Sequence, residues 1–214
     1  MPGASKIEID CGECSFGIPA TNDNKPYDTK MITGGHCLYD DALVQQPACF
    51  TNGDGKADQI FDLDNKDFGS VVAPDGEDGY DIYRQRLADY DGEFYPDRYI
   101  SGIITTDSLR QNEGNTSYTV FNHGARTGRT SGYIKNVRKN SSGHVEVVTT
   151  AETGGGDSGC PLYREYENSN VYGVYIAGIS VFGKGGSPGD DDCPFNNSGG
   201  NTMEYIETEL EASV

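Results

Sequence analysis

The apolar residues of this chain come in short runs, and Gly, Asn, Asp or Ser interrupts nearly every one. Residues 7–18, 29–33, 82–87, 100–105, 118–121, 133–137, 145–149, 161–166 and 171–181 read as strands, by alternation or by brief apolar runs. With 29 glycines among 214 residues, little of the chain keeps a helical period long enough to bury one face. The exception is the end, where Met203, Ile206 and Leu210 predict a closing helix over about 202–212, capped by Asn201 or Thr202. The class is therefore all-β. Residues 50–80 form a long Asp/Gly-rich stretch to which no strand is assigned, and residues 93–99 are aromatic and loop-like. A polar segment over 107–117 divides the strands into two runs. The expected organisation is a first β unit over 1–106, a linker over 107–117, and a second β unit over 118–214 that includes the helix. No internal repeat is present.

Charge excludes some functions. The net charge of −18 is spread along the chain, which opposes binding to nucleic acid phosphates or to an anionic membrane surface. No run approaches the roughly 18 apolar residues of a membrane helix. Met1 does not begin a charged-then-apolar leader, so the signal of an exported protein would lie outside this sequence. Six cysteines suit three disulfides in an oxidising compartment. Cys11-x-x-Cys14, with His36-Cys37 behind it, reads alternatively as a zinc site. Asn115-Thr116-Ser117, Asn140-Ser141-Ser142 and Asn196-Asn197-Ser198 have the glycan-acceptor pattern. Export is the expectation.

The segment Gly154-Gly155-Gly156-Asp157-Ser158-Gly159-Cys160-Pro161-Leu162 carries the chemistry. Glycines free the backbone to turn sharply and expose the Ser158 hydroxyl, and the N–H groups of Gly156 and Ser158 can point at one developing negative charge. A serine hydroxyl is a weak nucleophile until an imidazole takes its proton, and that imidazole needs an acid to hold its tautomer. Of the three histidines, His123 reads as a turn residue and His144 as a hairpin tip. His36 ends a short apolar strand, follows two glycines and precedes Cys37, a context that presents the imidazole. For the acid, Asp81 stands at the start of the 82–87 strand, with Asp78, Asp89 and Asp91 nearby as solvated competitors.

Thr33-Gly34-Gly35-His36-Cys37 resembles the TAGHC or TAAHC motif of chymotrypsin-family serine proteases. Asp81-Ile82-Tyr83-Arg84-Gln85-Arg86-Leu87 resembles the DIAL-type strand of that family, and Gly156-Asp157-Ser158-Gly159-Cys160-Pro161-Leu162 resembles GDSGGPL. The order His, Asp, Ser is also the family's. Cys14-Ser15-Phe16-Gly17 and the segment from Gly124 to Gly132 resemble the bacterial streptogrisin-like branch. Gly178-Ile179-Ser180-Val181-Phe182-Gly183 resembles its substrate-lining strand. The resemblance spans roughly residues 11–212. It implies two six-stranded antiparallel Greek-key β-barrels with a C-terminal helix, a triad of His36, Asp81 and Ser158, and an oxyanion hole at Gly156 and Ser158. It further implies a Cys14–Cys37 disulfide, with Cys11–Cys49 and Cys160–Cys193 as the accompanying expectations. Two departures stand out: Gly34 replaces Ala, and Cys160 replaces Gly two residues after the nucleophile. Asp157 is expected to need a cation, and Arg126 is the candidate.

The function so implied is a secreted, extracellular, monomeric endopeptidase that needs no cofactor. It would act on peptide or protein substrates through an acyl-enzyme and meet protein protease inhibitors. Phe182 and Gly183 would line the substrate cleft. Glu152, six residues before Ser158, would favour Arg or Lys before the scissile bond, a reading that stands beside a solvated loop acid. Asn52, Asp54, Asp58 and Asp62 offer oxygen ligands for a structural calcium ion, beside the alternative of a solvated acidic turn. The competing functional reading is a catalytically inactive binding protein on the same fold.

Overall fold

A computed structural model describes residues 6–9, 12–15, 17–22, 25–39, 43–44, 55–61, 67–72, 99–139, 143–168, 171–184 and 197–214. In chain order the first strands are β1 (Lys6–Ile9), β2 (Gly12–Ser15), β3 (Ile18–Asn22), β4 (Lys25–Thr33), β5 (Leu43–Val44), β6 (Gly55–Phe61), β7 (Phe68–Val72) and β8 (Tyr99–Ile103). After helix α1 (Thr106–Gln111) come β9 (Thr119–Gly124), β10 (Gly128–Lys139), β11 (Val145–Thr149), β12 (Cys160–Asn168), β13 (Val171–Ser180), β14 (Phe182–Lys184) and β15 (Asn197–Asn201). Helix α2 (Met203–Leu210) and strand β16 (Ala212–Ser213) close the chain.

Among the described residues these strands form two large sheets and a hairpin. One sheet has the order β16-β3-β4-β7-β6-β5, the other β14-β15-β11-β10-β9-β12-β13-β8, and β1 pairs with β2 alone. All pairings are antiparallel except β13 with β8, which run parallel. The all-β expectation and the closing helix hold, and Thr202 is the helix N-cap.

Two chain segments lie elsewhere than the sequence suggests. Strand β8 precedes the expected boundary at 106/107 yet pairs in the second sheet, from Gly173↔Tyr99 to Ile176↔Ile103. The expected polar linker begins with α1, capped by the Thr105 hydroxyl, which accepts from Ser108 N–H at 3.3 Å. Its Leu109 is fully buried, so one apolar residue in a polar segment is enough to anchor a helical turn. Conversely, β16 returns to the first sheet beside β3. The stretch 50–80 contributes β6 and β7, whose glycines and aspartates mask a paired hairpin.

The core joins the two sheets. Ile18, Ala20, Ile32 and Phe68 of the first sheet pack with Tyr163, Val174, Ile176 and Ile179 of the second, and with Met203, Ile206 and Leu210 of α2. Each of the Ile, Val, Leu, Met and Phe side chains among them contributes roughly 1.5–3 kcal/mol by leaving water. A second cluster, built on Leu109, Val120, Ile134, Val147 and Leu162, fills the other side of the larger sheet. The candidate site lies where turns from both sheets meet above this shared core.

Candidate active site

Strand β4 ends at Thr33, and a single 3₁₀ turn, Gly35–Cys37, then presents His36. In the antiparallel register Thr33 faces Gly69 of β7. That pairing sets the residue just ahead of β7, Asp67, beside the residues just after β4. The consequence is direct: His36 N–H donates to Asp67 Oδ1 at 2.9 Å, and His36 Nδ1 lies 2.7 Å from both Asp67 carboxylate oxygens. The imidazole is 40% exposed and the carboxylate 28%, so the pair sits at the protein surface rather than inside the core. A proton on Nδ1 facing the carboxylate leaves Nε2 as the basic nitrogen.

Cys37 is bonded to Cys14 at the end of β2, as expected. The bridge pins the 3₁₀ turn against the Ser158 segment: Cys37 Sγ is 3.9 Å from the Ser158 carbonyl oxygen. A Cβ built at Gly34 would lie 3.3 Å from His36 Cε1 and 3.5 Å from Gly159 N. The His36 turn and the Ser158 turn therefore converge. Because both sulfurs are in the bridge, Cys14 and Cys37 have no thiolate to offer a metal, although their sulfurs cluster with His36. This corrects the zinc alternative.

The Ser158 turn is held at every peptide around the serine. Asp157 N–H donates to Gly154 O at 3.1 Å, Cys160 N–H to Asp157 O at 2.9 Å, and Gly159 N–H to Ser180 O at 2.7 Å. Gly159 has φ +89°, and a Cβ there would collide with Thr33 and Gly34, so only glycine fits between the two turns. Among the described residues neither the Gly156 nor the Ser158 N–H has a protein acceptor, which leaves both able to serve a ligand oxygen.

Asp157 is fully buried, yet its carboxylate does not meet the expected Arg126 guanidinium. Its partners among the described residues are the N–H groups of Arg126 (2.8 Å), Gly154 (2.8 Å) and Thr127 (3.2 Å) and the hydroxyls of Thr127 (2.5 Å) and Thr153 (3.4 Å). Backbone dipoles and hydroxyls solvate the charge where a cation was expected; Arg126 contributes its amide, not its side chain.

Cys160 corrects another expectation. It is a free, fully buried thiol at the first position of β12, not half of a Cys160–Cys193 bridge. Its Sγ donates to Asn122 Oδ1 at 2.9 Å, and Asn122 Nδ2 donates in turn to the Glu152 carbonyl at 3.1 Å. Burial, and next the nearby Asp157 charge, push the thiol pKa well above the ordinary range. The start of β12 is buried from Cys160 to Tyr163, and there a neutral thiol takes the place of the expected disulfide.

The Glu152 side chain is exposed, while its carbonyl accepts from both Asn122 and Thr130 (2.6 Å). Phe182 and Gly183 lie in β14, paired to Gly199 and Ser198 of β15. Asp58 lies in β6 at a register shift between Ala57 and Gln59. Asp81, Cys11, Cys49, Cys193, Asn52, Asp54 and Asp62 lie outside the described residues. The residue that sequence reasoning missed is Asp67. Its signal was modest: an acid immediately before Phe68-Gly69-Ser70-Val71-Val72, a short strand-like run inside an Asp-rich stretch.

The architecture is that of the bacterial chymotrypsin-like serine proteases. The chain is similar to Nocardiopsis protease (NAPase), with a TM-score of 0.68 and 18% identity over 99% of this chain and 97% of that one. Against Thermobifida fusca protease A the TM-score is 0.67 at 18% identity, covering 99% and 96%. A glutamic acid specific serine protease gives 0.68 at 19% identity over the full length of both chains. No family model and no curated protein matches the chain by sequence. The likeness is therefore one of fold. Among the described residues no helix is long and apolar enough to cross a membrane.

Proposed function

We propose that this chain is a serine endopeptidase whose triad is Ser158, His36 and Asp67. The observation that carries the reading is the Asp67 carboxylate at 2.7 Å from His36 Nδ1, on a turn that abuts the Gly-Asp-Ser-Gly segment. Asp67 takes the orienting role that the sequence alone attached to Asp81.

In this mechanism Ser158 Oγ attacks the scissile carbonyl while His36 Nε2 accepts its proton. Asp67 holds the proton on Nδ1 and stabilises the imidazolium that forms. The N–H groups of Gly156 and Ser158 bind the oxyanion. His36 then protonates the departing amine, and water, activated by the same imidazole, releases the acyl group from Ser158. The disulfide beside the site suits an exported protein. The exposed Glu152 carboxylate is available to a cationic side chain before the scissile bond, and a chromogenic panel with no gain for Arg or Lys would remove that preference.

The deciding experiment is labelling with a fluorophosphonate, which reacts with an activated serine. The wild-type chain is expected to label at Ser158 and to cleave peptides, and Ser158→Ala to do neither while keeping its melting temperature. A wild-type chain that neither labels nor cleaves would make it an inactive binding protein on this fold.

A further inference from the structure

Ser15, the last residue of β2, is fully buried, and its polar atoms are turned toward the two site turns. Its N–H donates to the Ser158 carbonyl at 2.8 Å. Its hydroxyl donates to the Gly156 carbonyl at 3.0 Å and accepts from Ala125 N–H at 2.9 Å. Its carbonyl accepts from Thr33 Oγ1 at 2.8 Å, at the end of the strand that leads to His36.

The Gly156 carbonyl belongs to the 156–157 peptide, whose N–H end is tied to Gly154 O. Gly156 itself has φ +93°, a conformation with few intrinsic barriers to rotation for a residue without a side chain. The bonds that hold the peptides on either side of Ser158 are all between backbone groups. At Gly156 the bond from outside the turn is instead a side-chain hydroxyl, and it comes from the β1–β2 hairpin. The same hydroxyl ties in Ala125, whose neighbours Arg126 and Thr127 donate to Asp157. One hydroxyl thus ties the nucleophile turn and the 124–127 turn to the end of β2.

We propose that Ser15 is a positioning residue for the oxyanion hole: it holds the 156–157 peptide, the unit between the peptides that carry the Gly156 and Ser158 N–H groups, so that these two donors converge. This rests on the serine-protease reading. Ser15 touches no reacting atom; it acts through Gly156. Removing its hydroxyl leaves the Gly156 carbonyl and the Ala125 N–H without their shared partner and the 156–157 peptide held only at its N–H end.

The test is Ser15→Ala, with kcat counted per fluorophosphonate-titrated site. The expected result is a loss in kcat of about 10- to 100-fold, the scale of a misplaced donor and below the roughly 100- to 1000-fold of a missing one. KM should stay within about threefold, because ground-state binding does not use the hole. The pH midpoint of kcat/KM should not move, because the His36–Asp67 pair is untouched. Affinity for a peptidyl boronate, whose adduct fills the hole, should fall with kcat, whereas affinity for the product peptide should not. Ser15→Thr and Ser15→Val form a second pair, alike in shape and differing in the hydroxyl; only the threonine variant should retain activity, and this pair decides if the alanine variant does not fold. Wild-type kcat in Ser15→Ala, or equal kcat in the Thr and Val variants, overturns the proposal alone. An inert wild-type chain overturns the protease reading and this proposal with it.

Discussion

The Asp67 carboxylate straddles His36 Nδ1, with both oxygens at 2.7 Å, and also accepts the His36 backbone N–H at 2.9 Å. The same acid fixes the ring and the turn that carries it. Asp67→Asn keeps the shape but presents an amide that favours the wrong imidazole tautomer. Turnover should fall by about 10⁴-fold with little change in fold. Asp81→Asn, made in parallel, should stay within about threefold of wild type. Steady-state kinetics on a peptide substrate decides between the two acids, and the reverse ranking would return the role to Asp81.

The Cys160 thiol should be silent toward an alkylating reagent in the native protein and react after unfolding, because it is sealed from solvent beside Asn122. Its folded pKa is raised, chiefly by burial. A raised pKa means that the neutral form is the one the fold accommodates. Its contribution is therefore complete below the unfolded thiol value of about 8.5 and is lost progressively as pH rises above it. Cys160→Ser has no thiol to titrate. The stability difference between wild type and this variant should shift against the wild type above about pH 8.5, by up to about 1.4 kcal/mol per pH unit. Urea unfolding at a series of alkaline pH values measures it, and parallel curves would remove the inference.

Gly124 lies directly against the Asp157 side chain, where an added Cβ would overlap the carboxylate. Gly124→Ala must displace a buried charge from the amides and hydroxyls that solvate it. A loss of about 1–3 kcal/mol is expected from overpacking alone, which for a chain of this size lowers Tm by roughly 3–10 °C. Because Asp157 precedes Ser158, kcat should fall as well. A thermal melt superimposable on wild type would show that the turn has more room than its geometry implies.

Much of the site was legible because its motifs are local. Gly35-His36-Cys37 and Gly156-Asp157-Ser158-Gly159 announce an exposed imidazole and a sharp turn whatever surrounds them. The strands of the second sheet were readable for the same reason: residues 145–149 and 171–181 alternate or run apolar within their own length. The acid was not local in that sense. Asp is abundant, and nothing in residues 62–67 separates one carboxylate from the next. Asp67 meets His36 only because β4 pairs with β7 in the register that sets Thr33 opposite Gly69. The same limit applies to Cys160 and Asp157. A cysteine count suggests bridges and a buried acid suggests a cation, but whether a bridge or an ion pair forms depends on which groups the fold brings within a few ångströms.

By itself, then, the sequence determined the all-β class, the closing helix, the Gly-Asp-Ser-Gly turn and the histidine turn, since these follow from side-chain period and from glycine placement along neighbouring residues. The tertiary structure decided that Asp67 lies against the His36 imidazole, that amides rather than a guanidinium solvate Asp157, that Cys160 remains a thiol, and that Ser15 grips the Gly156–Ser158 turn. Each of these is a contact between residues distant in the chain. Its existence depends on strand register and on the packing of one sheet against the other, and no local run of residues encodes either.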